Sequence, residues 1–345
     1  AGNVGTETSG SILSPSNQNM LVGIKPTVGR VSRYGVIPIT ADQDTPGPMA
    51  RTVTDAAIML GALEGLEPDP NDPATSTCEP PADGDYTAFL HAQGLQGARI
   101  GIPRAMYYDS VQVPGTDRWR GGMSHEARAM MDTVITILED QGAVIVDPAD
   151  IPSLLDPDSA ENLMLNGSSS VLSYGMKRDF NLWLESLGET APVKSLTELR
   201  EWNLAHRSAG SMKYEQARLD GSDALDLEED RAQYQEDRAR DLRLNGEHGI
   251  DEVMDALELD ALLFPGSSSA GIAAKPGYPT VIVPFGFIPN TRGPEFPEGF
   301  QPRPQPYGVG FTGRACSEPR LLELAYAFEQ ATKRRVPPPR LYPNF

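Results

Sequence analysis

The sequence predicts an α/β fold with a mixed sheet, because amphipathic helices alternate along it with short apolar strands. The clearest unit is SHEARAMMDTVITILEDQGAVIVDP, residues 124 to 148. Ser124 stands where an N-cap is wanted, and Ala127, Met131, Val134 and Leu138 recur at spacings of four, three and four, which makes one apolar face. Gly142 ends that helix, and AVIVD follows as a strand. A second observation is the run of apolar segments DALLFPG (260–266), PTVIVPFG (279–286) and YGVGFTG (307–313), all strand-like. A third is the closing segment SEPRLLELAYAFEQATKRR (317–335), a helix expected to pack through Leu321, Leu324, Ala325 and Phe328.

The remaining elements follow in order. Residues 52–64, TVTDAAIMLGALE, read as a helix with Thr52 as N-cap and Asp55 three residues on. ARIGIP (98–103) reads as a buried strand. From about 150 to 250 the chain is richer in charge, as in LDLEEDRAQYQEDRARDLR, and its helices carry ion pairs at i,i+4 on solvated faces. That stretch reads as a helical insertion capping the substrate side of a single domain, 1–345, without internal repeats.

Composition narrows the function. The 345 residues can bury a large core, and 39% apolar with 22% charged residues describes a globular chain. A net charge of −19 repels polyanions, which argues against nucleic acid or an anionic membrane surface as partner. No apolar run reaches the length of a membrane span. Cys78 and Cys316 are too few for a disulfide framework and have no metal-ligand spacing, and His91, His125, His206 and His248 are scattered. A zinc hydrolase is therefore poorly supported. The N-terminal AGNVGTETSG lacks methionine and says nothing of a signal peptide; the cytoplasm is the default expectation, and oligomeric state is open.

Two serine clusters carry the chemistry. In GTETSGSILSPS (5–16), Ser9, Ser11 and Ser14 crowd a turn in which Thr8, Ser9, Gly10 and Ser11 offer consecutive backbone N–H groups. A serine nucleophile needs a base to take its proton, and the oxyanion it creates needs preorganised donors, each worth roughly 3–4 kcal/mol. Glycine beside it lets the substrate carbonyl approach the backbone. The second cluster, PGSSSAG (265–271), lacks the G-x-S-x-G spacing of a nucleophile elbow, since Ala270 follows Ser269; Ser267 and Ser268 are either pocket-lining or part of a surface turn. Asp44 is read as a brace of its turn, Arg33 and Arg51 as ion-pair partners, and Trp119, Trp183 and Trp202 as core residues or walls of an apolar pocket.

Residues 5 to 60, GTETSGSILSPSNQNMLVGIKPTVGRVSRYGVIPITADQDTPGPMARTVTDAAIML, resemble the amidase signature family throughout. GIKPTVGRVSRYG and QDTPGPMARTVTDAA stand almost letter for letter, and GYPTVIVPFG, YGVGFTGR and LLELAYAFEQAT are similar to the family's closing segments. The resemblance implies a serine hydrolase of carboxamide C–N bonds with a Ser–cis-Ser–Lys triad that calls for no metal or cofactor, with Ser11 as nucleophile and the backbone of Thr8, Ser9 and Gly10 as oxyanion hole. The bridging serine and the base belong to a stretch upstream of the nucleophile, so the chain is expected to be the C-terminal two-thirds of an enzyme. Lys25, in GIKPT, matches a family lysine that is not the catalytic one, and Lys177, Lys194, Lys213, Lys275 and Lys333 have no matching context. Leu13 takes the place of the family's usual arginine, which argues against a carboxylate beside the scissile amide and makes Leu13 a candidate pocket residue. GTETxGS with QDTPGPM is most similar to the branch of peptide amidase and aryl acylamidase, whose partner is a small-molecule amide. The A subunit of a tRNA-dependent amidotransferase and a non-catalytic binding module are the alternatives.

Overall fold

The computed structural model describes residues 2–290 and 296–338. Among the described residues ten strands are formed: β1 (Asn3–Glu7), β2 (Val22–Lys25), β3 (Thr45–Ala50), β4 (Arg99–Gly101), β5 (Ser110–Gln112), β6 (Trp119–Gly121), β7 (Val144–Val146), β8 (Ala261–Pro265), β9 (Thr280–Ile288) and β10 (Gln305–Thr312). Eight of them make one sheet in the order β1-β3-β2-β9-β10-β8-β4-β7, and β5 with β6 forms a separate ribbon. Pairing is antiparallel from β1 through to β8 and parallel from β8 to β4 to β7. This is the mixed sheet expected of the alternating pattern.

The helices are α1 (Leu13–Gln18), α2 (Val53–Leu63), α3 (His125–Asp140), α4 (Pro152–Leu155), α5 (Val171–Ser186), α6 (Leu196–Ala205), α7 (Ala217–Asp223), α8 (Arg231–Leu242), α9 (Glu252–Ala256), α10 (Ala270–Ala274) and α11 (Glu318–Thr332). The caps read from sequence are present: Thr52 Oγ1 accepts from the Asp55 N–H and Ser124 Oγ from the Ala127 N–H. The four apolar positions read for α3 are its four buried residues.

Two cores lie against the sheet, and β8 shows why its sequence is continuously apolar. Ala261 and Leu263 face a core with α2, α3 and α11, whereas Leu262 and Phe264 face another with Val253 and Met254 of α9 and Ile272 and Ala273 of α10. Alternate residues of one strand thus serve opposite faces. In the first core Phe328 of α11 packs its ring against Phe285 and Phe311. Residues 152–242 hold α4 to α8 and, among the described residues, no strand. Phe180, Leu184, Ala191 and Leu196 give α5 and α6 a small core of their own.

One covalent tie was not anticipated from the sequence. The two cysteines, too few for a framework, do form a single disulfide, Cys78–Cys316, across 238 residues. It joins the loop after α2 to the turn before α11, two helices that the sheet brings side by side; no local spacing could announce it. Because the bond restricts a very long loop in the unfolded chain, reduction or Cys316→Ser should lower stability by roughly 2–4 kcal/mol. Thermal unfolding with and without reductant measures this.

His248 forms a second tie, with Nε2 2.7 Å from Asp156 Oδ2 and Nδ1 2.5 Å from Glu252 Oε2. Partial burial works to lower its pKa, but the two carboxylates outweigh it and raise the imidazole above 6.5. The sign is that of a cation gained on folding: the stabilisation is present in full below the unfolded pKa and is lost as pH rises through the folded one. His248→Gln should therefore destabilise the protein at pH 5.5 to 6 and matter far less at pH 9, which urea titrations at the two pH values would show.

Candidate active site

The site is built where β1 ends and the chain turns into α1. Glu7, the last residue of β1, is 1% exposed, and its carboxylate reaches forward over the turn. Oε1 accepts from the Gly10 N–H at 2.7 Å, and Oε2 accepts from the N–H groups of Ile12 and Leu13 at 2.8 and 2.9 Å. Two of these amides open α1 and would otherwise lack a partner, so Glu7 caps from the preceding strand a helix whose own cap position, Ile12, has no polar side chain. Gly10 has φ of +93°, a conformation that glycine adopts without strain, and the chain doubles back there.

Ser11 follows at the crest of the turn, exposed. Among the described residues no hydrogen bond engages its hydroxyl, and none engages the N–H groups of Ser9 and Ser11. Gly10, expected as an oxyanion donor, has its N–H directed at Glu7 instead. Thr8 plays a side-chain part: its hydroxyl donates to Asp44 Oδ1 at 2.5 Å. Asp44 Oδ2 in turn accepts from the N–H groups of Ile39 and Thr40, so Asp44 braces its turn as read from sequence. Burial raises the Asp44 pKa, against these three donors, which hold the charged form.

The second serine cluster lies beside the first. Ser9 Oγ donates to the Ala270 carbonyl at 3.4 Å, and a Cβ on Gly10 would stand 3.5 Å from Ala270 Cβ. Ser268 is exposed and Ser267 half-buried at this junction. Leu13 departs from expectation: it has no accessible surface, so it packs beneath the turn and does not wall an open pocket. Its apolar side chain belongs where α1 meets the sheet, a contact that the sheet's glycines allow. A Cβ on Gly23 would come within 2.3 Å of Ser16 Oγ, and the Gly308 N–H donates to Asn17 Oδ1 at 2.7 Å.

Lys25 lies on the same face of the sheet as Gly23 and is fully buried, its ammonium donating to the Tyr278 carbonyl at 2.6 Å. Burial lowers its pKa to about 8, although the charges of Glu7 and Glu318 pull the other way. Its hydrogen bond goes to Tyr278 and not to Ser11. Arg33 pairs with Asp72, as expected of an ion-pair partner, whereas Arg51 is exposed. Of the tryptophans, Trp119 and Trp202 are exposed and Trp183 lines a groove near Asp44. The one cis peptide bond among the described residues, Asp147–Pro148, is not part of this turn, and no cluster of three or more metal-ligating side chains occurs among them.

Sequence reading missed Glu7 as a functional residue. The available signal was an acidic residue three positions before the turn glycine and just before a helix without a capping side chain. Elsewhere in the interior Arg30, 4% exposed, holds Glu64 at 2.8 Å and Glu318 at 2.9 Å.

Fold and site together define a mixed-sheet α/β protein that presents a serine on a braced glycine turn. The chain belongs to the amidase family, whose model, described as Amidase, matches residues 1–322. Its fold is similar to that of the native peptide amidase from Stenotrophomonas maltophilia, with a TM-score of 0.77 and 36% identity over 98% of this chain and 63% of that one. It is 34% identical over 341 residues to a probable amidase of Arabidopsis thaliana, covering 97% of this chain and 57% of the relative. It is also 31% identical over 346 residues to the glutamyl-tRNA(Gln) amidotransferase A subunit of Roseobacter denitrificans, covering 95% and 62%. The chain thus spans less than two thirds of the length of each.

The Glu7 brace has a measurable consequence. A glutamine there offers one acceptor oxygen to three N–H groups, so at least one buried donor is left without a partner. Glu7→Gln should cost about 1–3 kcal/mol, and Glu7→Ala more, as read by chemical denaturation.

Proposed function

We propose that the chain is the nucleophile-bearing part of a serine hydrolase that cleaves carboxamide C–N bonds. The observation that carries this is the exposed Ser11 on a turn held rigid from below by Glu7 and flanked by unengaged N–H groups, in a chain of the amidase family. Ser11 Oγ attacks the amide carbon as a base removes its proton, and the tetrahedral oxyanion lies against the N–H groups of Ser9 and Ser11, with Thr8 beside them. The C–N bond then breaks as the nitrogen takes a proton, leaving an acyl group on Ser11. Water releases the acid and restores the serine. The base is taken to be a lysine acting through a bridging cis-serine, as the family resemblance implies.

A peptide amide is the favoured substrate, with an aryl acylamide next, since the similarity to the peptide amidase fold extends over nearly the whole chain. The reading as an amidotransferase A subunit has the support of the 31% identical relative. Against it, a net charge of −19 is unsuited to tRNA, and copurification with partner subunits and tRNA would revive it. Among the described residues no helix is long and apolar enough to cross a membrane. The disulfide favours an oxidising compartment, against the cytoplasmic expectation.

A fluorophosphonate probe tests the proposal. In the intact enzyme the adduct should map to Ser11, and Ser11→Ala should abolish labelling and reduce amide hydrolysis by roughly a thousandfold or more. An adduct on another residue, or hydrolysis unchanged in that variant, would overturn it.

A further inference from the structure

A groove of about 460 Å³ runs between the 33–44 loop and α5, and Asp44 is common to it and to the nucleophile turn. Its walls are apolar: Tyr34, Val36 and Pro38 on one side, Leu182, Trp183 and Leu187 on the other. Four large apolar side chains are exposed in these two segments, Tyr34 at 68%, Ile37 at 62%, Leu182 at 58% and Ile39 at 44%. Apolar surface gathered in this way marks a binding site more often than a solvated face. Trp183 is held in place by stacking on Phe180, ring centroids 5.8 Å apart.

The charged groups of the groove are already committed. Arg33 gives Nε and Nη2 to Asp72 and Nη1 to the Ala41 carbonyl. Asp179 accepts from the Ala41 N–H and from Arg178, and Asp44 from Thr8, Ile39 and Thr40. A ligand carboxylate would find no free cation here and would meet three aspartates in a chain of net charge −19. A neutral aromatic or bulky aliphatic group can lie against Tyr34, Val36, Pro38, Leu182, Trp183 and Leu187 without displacing any of these bonds.

We propose that this groove is the specificity subsite of the enzyme, taking a neutral aromatic or large aliphatic group attached to the scissile amide. The proposal rests on the amidase reading above and adds the class of substrate. Leu13 is buried beneath the turn, and the selecting surface lies instead on the 33–44 loop and on α5 of the helical stretch.

Two amides of differing size and a binding measurement test it in the intact enzyme. Trp183→Ala, and separately the exposed Tyr34→Ala, should lower kcat/KM for N-acetylphenylalanine amide by roughly ten- to hundredfold while leaving that for acetamide unchanged. Acetanilide, which carries its ring on the amine, distinguishes the two sides: if its kcat/KM falls instead, the groove takes the leaving group. Equal losses on all three amides, or none, would overturn the subsite while leaving the amidase reading intact. If the wild type hydrolyses none of them, binding of N-acetylphenylalanine amide is followed by tryptophan fluorescence. Binding lost in Tyr34→Ala then sustains the groove without the reaction, and binding absent or unaltered rejects the groove as well.

Discussion

The buried carboxylate of Glu7 is the interaction on which the site depends. A carboxylate withdrawn from water is tolerated only if donors replace its hydration, and here three backbone N–H groups do so within 2.9 Å. The same three bonds fix the path of the chain from β1 through Gly10 into α1. Ser11 is thereby held at the crest of a turn whose geometry is set from below and not by the side chains around it. Lys25, buried on the same sheet face with its ammonium on the Tyr278 carbonyl, adds a compensating charge.

A pair of aspartates carries this order outwards. Asp44 faces the nucleophile turn through Thr8, whereas Asp42, two residues earlier, faces the helices beyond it. Asp42 meets Arg178 at 3.1 Å, the Tyr234 hydroxyl at 2.9 Å and Arg238 at 3.4 Å. The Arg178 guanidinium lies over the rings of Tyr174 and Tyr234, which are themselves stacked. One short loop therefore ties α5 and α8 to Asp42, so the charged helical stretch is placed against the loop that braces the nucleophile turn and gives the apolar groove one of its walls.

The division between what was legible and what was not follows the range of each interaction. Helices with local caps were readable because Ser124 and Thr52 bond to N–H groups three residues away. The apolar face of α3 was readable because its period is a property of the backbone. Glu7 was harder to see, since its role depends on β1 and α1 folding back on one another. Leu13 was misjudged, as position relative to the nucleophile does not reveal which way a side chain points.

The sequence by itself determined the α/β class, the family and the elements with strong local signals, among them α2, α3, α11, β4, β7, β8, β9 and β10, because periodicity, capping and a signature of more than fifty residues are local. Only the tertiary structure decided that Gly10 gives its N–H to Glu7, that Ser9 meets Ala270 across 261 residues, and that Cys78 bonds to Cys316. It also decided that Trp183, and neither of the other tryptophans, lines the groove. Each of these depends on a sheet in which β2 lies beside β9 and α2 beside α11, and such adjacency arises from the packing of distant segments, which leaves no mark at any single position of the chain.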